Sequence, residues 1–113
     1  MLEIYHNPRC GKSREGLKIL EDSGKDFKII KYFDDPLSFE NLQQIIELLK
    51  IKPIDLIRKK ESIWKENFKD KALSDKKLIE LLIEYPRLME RPIVINGNKA
   101  VLGRPPSKIL DII

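Results

Sequence analysis

Leu2-Glu3-Ile4-Tyr5-His6-Asn7-Pro8-Arg9-Cys10-Gly11-Lys12-Ser13-Arg14 begins with an apolar segment, crosses a polar loop containing proline and glycine, and enters a helix-like pattern. Leu2 to Tyr5 reads as a short strand. The helix begins at about Gly11 or Ser13 and runs to Glu21, with Leu17 and Leu20 on one face and Gly24 as its stop. Phe27 to Phe33 reads as a second strand, and strand, helix, strand at this spacing predicts a right-handed parallel unit.

Cys10 is the only cysteine, and it falls where the first strand hands over to the helix. A buried structural role is common for free cysteine. Its surroundings here argue instead for a nucleophile: N–H groups at a helix N-terminus carry about half a positive charge, which favours thiolate over thiol and can hold an oxyanion. His6, as an imidazolium, would stabilise that thiolate further. Two other anion-binding motifs are excluded. Gly11-Lys12-Ser13 imitates the end of a nucleotide P-loop, but the glycine required five residues earlier is His6. A phosphatase loop needs arginine six residues after the cysteine, and that position is Gly16.

Beyond the second strand, Asp34-Asp35-Pro36 marks a turn, and Ser38 caps a helix whose Leu42, Ile45, Ile46 and Leu49 recur at helical spacing. Pro53 opens a short helix carrying Arg58. The segment 61–69, with Ile63, Trp64 and Phe68, reads as helical, with its aromatic rings in the core. Ser74 or Asp75 caps a further helix with Leu78, Leu81 and Leu82 on its apolar side and Pro86 beyond its end. Ile93–Ile95 and Ala100–Leu102 flank Asn96-Gly97-Asn98, which has Asn-Gly hairpin chemistry. A final helix starts at Pro105 or Pro106.

A chain of 113 residues, 42% hydrophobic, is read as one domain spanning 1–113. No apolar run approaches the roughly 20 residues of a membrane helix, and the start lacks the pattern of a secretory signal, so a cytoplasmic location with no membrane association is expected. An unpaired cysteine suits a reducing compartment. The net charge of +4 arises from 22 basic and 18 acidic residues mixed along the chain, which reads as a solvated surface with no nucleic-acid partner. Arginine is scarce, six against sixteen lysines, so each position it occupies carries weight.

The run His6, Asn7, Pro8, Cys10, Gly11, Ser13, Arg14, with Leu-Ile-Arg-Lys at 56–59, Glu-Arg-Pro-Ile-Val at 90–94 and Gly-Arg-Pro at 103–105, resembles the ArsC-type arsenate reductases. These glutathione- and glutaredoxin-dependent enzymes belong with the ArsC/Spx/YffB-like thioredoxin-fold proteins. The resemblance implies an α/β thioredoxin-like (glutaredoxin-like) mixed sheet, with a helical insertion at about 37–88 between the second and third strands. It implies Cys10 as the catalytic nucleophile, Arg58, Arg91 and Arg104 as the oxyanion site, and His6, Gly11, Ser13, Arg14 and Pro92 in support, with Pro92 cis. It further implies arsenate as substrate, glutathione as co-substrate and glutaredoxin as partner, with no metal and no bound cofactor. The alternatives are a glutathione-dependent thiol reductase that does not act on arsenate, and an Spx-like regulator that binds RNA polymerase. Ser13 stands where such regulators usually carry a second cysteine, which argues against the latter.

Overall fold

The computed structural model describes residues 2–113, which divide into two units: residues 2–35 with 91–113, and Pro36–Glu90. In the first unit β1 (Leu2–Tyr5) leads through a loop into α1 (Gly11–Ser23), and β2 (Phe27–Ile30) then pairs parallel to β1. β3 (Ile93–Asn96) runs antiparallel to β1, placing Tyr5 opposite Ile93, and β4 (Lys99–Leu102) runs antiparallel to β3. The order β2-β1-β3-β4 is a mixed thioredoxin-like sheet with β1 and β3 central.

Side-chain periodicity sets the core of this unit. Leu2 and Ile4, two residues apart on β1, share a face with Val94, and on that face they meet Leu20 of α1 and Ile109 of the 3₁₀ segment Pro106–Asp111. Along α1 the buried residues Ser13, Gly16 and Leu20 follow helical spacing. Gly24 ends the helix at φ 73°, a left-handed conformation that glycine adopts without steric cost, and its N–H reaches the Glu21 carbonyl. Ile93, Val94 and Ile95 are all buried, as befits a strand covered on both faces.

In the second unit, α2 (Phe39–Leu49) and α4 (Asp75–Glu84) are each N-capped by serine: Asn41 N–H donates to Ser38 Oγ, and Lys77 N–H to Ser74 Oγ. The two helices pack together through stripes that include Leu42, Ile45 and Ile46 on α2 and Leu78, Leu81 and Leu82 on α4. α3 (Ser62–Asn67) buries Trp64, whose ring lies 6.2 Å from that of Phe68, and Phe68 lies 6.2 Å from Tyr85.

Four local expectations need correction. The second strand ends at Ile30 rather than Phe33, because the Lys31 carbonyl accepts from both Asp34 N–H and Asp35 N–H and turns the chain. The segment opened by Pro53 is a 3₁₀ turn, Pro53–Leu56, that stops short of Arg58. Asn96 belongs to β3, paired with Lys99, so the hairpin turns on Gly97-Asn98. Gly97 takes φ 63° while Asn98 stays out of the positive region, as in a type II′ turn. The last helix is 3₁₀ rather than α.

Pro92 explains two of the glycines. A Cβ on Gly16 would lie 2.8 Å from Pro92 Cγ and 3.0 Å from Ile109 Cδ1, and one on Gly103 would lie 2.9 Å from Pro92 Cγ. A rigid ring in a close-packed interior cannot yield to either. Gly16→Ala and Gly103→Ala are each expected to destabilise the protein by about 1–3 kcal/mol, the usual cost of overpacking. Urea melts will read this as a lower midpoint; an unchanged midpoint in both variants would remove Pro92 as the constraint.

Candidate active site

Cys10 occupies the N-cap of α1 with extended backbone angles, φ −97° and ψ 125°. Its N–H donates to the Asn7 carbonyl at 3.0 Å, and its own carbonyl accepts the first helical bond from Arg14 N–H. The loop before it is held from inside. Ser13 Oγ accepts from Asn7 N–H at 2.9 Å and stands 2.7 Å from His6 Nδ1, all three residues being buried. Asn7 Oδ1 in turn accepts from Arg9 N–H at 3.1 Å, a local turn bond typical of asparagine. One hydroxyl thus ties the end of β1 to the first turn of α1.

Cys10 is a free cysteine and only half-buried. Burial by itself pushes the thiol up. The N–H of Ser13, the Arg91 guanidinium as donor and as charge, and the N–H of Lys12 together outweigh it, so the thiol titrates below its ordinary value. The thiolate is therefore favoured by backbone dipoles and one arginine.

His6 departs from the imidazolium expected of it. Burial holds its pKa below the ordinary histidine value, and Lys31 and Arg14 add repulsion against a positive ring, opposed in part by Ser13. A hydroxyl that accepts from Asn7 N–H retains its own proton, and a neutral Nδ1 can accept it. The contribution of His6 is to fix Ser13 in place.

Of the other residues singled out above, Arg91 is buried beside Cys10, and the Arg91–Pro92 peptide bond is cis. Arg104 donates from Nη1 to the Arg91 carbonyl at 3.0 Å, and the Arg104–Pro105 bond is also cis. Arg14 Nη1 donates to the Pro8 carbonyl at 3.0 Å, so Arg14 braces the loop from its exposed side. Around Gly11 a Cβ would meet only Arg14 Nη2, at 3.8 Å, so protein packing does not itself demand glycine there. Arg58 belongs to the second unit. There its N–H donates to the Leu88 carbonyl and its Nε pairs with Glu61 at 3.5 Å.

Two contributors were not singled out as site residues. Asn7 supplies three of the loop's hydrogen bonds, and its Asx-turn chemistry beside Pro8 was the available signal. Phe33 places its ring 5.8 Å from Arg91 Cζ, a contact no local pattern announces.

A family model described as the ArsC family matches residues 5–112. A protein of Haemophilus influenzae named arsenate reductase is 42% identical, the match covering 97% of this chain and 97% of that protein. The Escherichia coli K12 protein YfgD, described as uncharacterized, is 40% identical over 99% of this chain and 96% of its own length. Among solved structures, an arsenate reductase from Vibrio cholerae superimposes with a TM-score of 0.93 at 41% identity, covering 99% of this chain and 97% of that one. The likeness in each case runs the length of both chains, well beyond the cysteine loop.

The Ser13 hydroxyl gives a stability test. Ser13→Ala leaves the buried Asn7 N–H without its acceptor, and a loss of about 1–3 kcal/mol is expected in thermal melts. His6 adds a pH dependence. The unfolded chain takes up a proton near pH ~6.5 that the folded chain resists, so this contribution is complete above that pH and is lost as pH falls through the lower folded value. His6→Asn should flatten that part of the stability profile; a profile identical to wild type would contradict a neutral buried ring.

Proposed function

Because the chain belongs to the ArsC family, we propose that it is an arsenate reductase in which Cys10 forms a covalent adduct with arsenic. The observation that carries this reading is the convergence of the Lys12 and Ser13 N–H groups and the Arg91 guanidinium on a single thiol. Relatives named arsenate reductase support the substrate. Donors arranged in advance for negative charge are what the meeting of a thiolate and an oxyanion requires.

The Cys10 thiolate attacks arsenic(V), a sulfur–arsenic bond forms, and an arsenate oxygen leaves as water after protonation. A glutathione thiolate then attacks the Cys10 sulfur. The sulfur–arsenic bond breaks with its electron pair remaining on arsenic, which departs as arsenite, arsenic(III), while Cys10 is left in a mixed disulfide with glutathione. Glutaredoxin attacks the glutathione sulfur and releases the Cys10 thiolate. An external thiol is required because the chain has no second cysteine to form an internal disulfide.

Guanidinium offers paired, planar donors to a tetrahedral anion, which an ammonium does not. Arg91 fits that role beside Cys10. Arg104, bonded to the Arg91 carbonyl, fits the role of holding that residue in place as well as adding charge. Arg58 is assigned to the anion from its motif, Leu56-Ile57-Arg58-Lys59.

Arsenite formation from arsenate, with glutathione and glutaredoxin supplied, tests the proposal. Cys10→Ser should lower turnover by about a thousandfold or more, as loss of a covalent nucleophile does; substantial residual activity would sink the mechanism. Thioredoxin with its reductase, without a small thiol, should not sustain turnover, and enzyme stopped during turnover should show a glutathione adduct on Cys10 by mass spectrometry. Arg58→Lys keeps the charge and loses the fork, so a several-fold higher KM for arsenate is expected; wild-type kinetics would remove Arg58 from the anion site.

A further inference from the structure

Phe33 sits within the turn that ends β2, and two contacts define its place. Tyr32, buried with 2% exposure, has its ring centroid 4.9 Å from that of Phe33 at an interplanar angle of 39°. Arg91 Cζ stands 5.8 Å from the Phe33 centroid, within cation–π range. Phe33 itself is 37% exposed, so burial alone gives a large apolar ring little reason to be there.

We propose that Phe33 is a positioning residue for the active site: its ring face holds the Arg91 guanidinium beside Cys10. The choice of an aromatic ring has a physical reason. A ring face attracts the cation through its quadrupole and leaves the charge in place. Tyr32 completes the arrangement with an almost wholly buried ring that contacts Phe33 within the same turn.

The anionic ligand is taken from the function proposed above, whereas the anchoring of Arg91 beside Cys10 does not depend on it. Two substitutions separate the ring from its bulk. Phe33→Leu removes the π face and keeps an apolar side chain; Phe33→Tyr keeps the face. Cys10 is titrated by thiolate absorbance and by the pH dependence of its alkylation with iodoacetamide, and KM and kcat for arsenate are measured separately. Phe33→Leu should move the Cys10 titration up toward that of a free thiol. It should also raise the arsenate KM roughly two- to thirtyfold, the span of cation–π contacts, with a smaller change in kcat. Phe33→Tyr should restore both. In an Arg91→Met background, Phe33→Leu should add no further shift in the titration.

A wild-type titration in Phe33→Leu would overturn the proposal, as would equal shifts in the Leu and Tyr variants or a shift that persists without Arg91. Circular dichroism and a thermal melt accompany each variant, and Phe33→Met replaces Phe33→Leu if the latter does not fold. Should the wild-type protein fail to reduce arsenate at all, the functional reading falls and the titration of Cys10 still decides the role of Phe33.

Discussion

Pro92 is the point on which the arrangement of the sheet unit turns. Its ring fills the space where Gly16 of α1 and Gly103 after β4 would carry side chains, with Ile109 closing on the same two glycines. Its carbonyl accepts from Gly103 N–H at 2.8 Å, so the strand entering the sheet at Ile93 and the chain leaving it after Leu102 are joined at one residue. Arg91 precedes Pro92 and Arg104 follows Gly103, which brings both arginines to the same peptide, bonded at 3.0 Å. Close packing leaves a rigid buried ring no alternative position, and the side chain before it is constrained accordingly.

A second constraint is electrostatic. Burial opposes charge on Cys10 and on His6 alike, but their surroundings resolve it in opposite ways. Around the sulfur, two backbone N–H groups and a guanidinium compensate an anion. Around the imidazole, Lys31 and Arg14 would repel a cation, so the ring remains neutral. The interior of the loop is held by neutral hydrogen bonds through Ser13. Such bonds are costly to break in a buried setting, so the loop keeps its shape when the charge on the sulfur changes.

The arginines meet different groups in the two units. Phe33 supports Arg91 through a ring face, and Arg104 bonds to the Arg91 carbonyl. In the second unit Arg58 instead pairs with Glu61, a carboxylate three residues along.

Much of the local structure was determined by the sequence alone, because its causes act over a few residues. Ser38 and Ser74 cap their helices by bonding an N–H three residues on, Gly24 stops α1, and the periodic Leu and Ile positions of α2 and α4 form stripes whichever fold surrounds them. The junction that makes Cys10 an N-cap was visible for the same reason, and resemblance to a family supplied the cis bond at Pro92, which no local propensity would single out. Only the tertiary structure decided where β2 ends, that His6 is neutral, that Gly16 and Gly103 must lack side chains, and that Phe33 meets Arg91. Most of these depend on groups far apart in the chain arriving at one place, and the β-type apolar run 27–33 could not reveal that Lys31 would turn the backbone and bring the ring of Phe33 to the guanidinium of Arg91, 58 residues further along the chain.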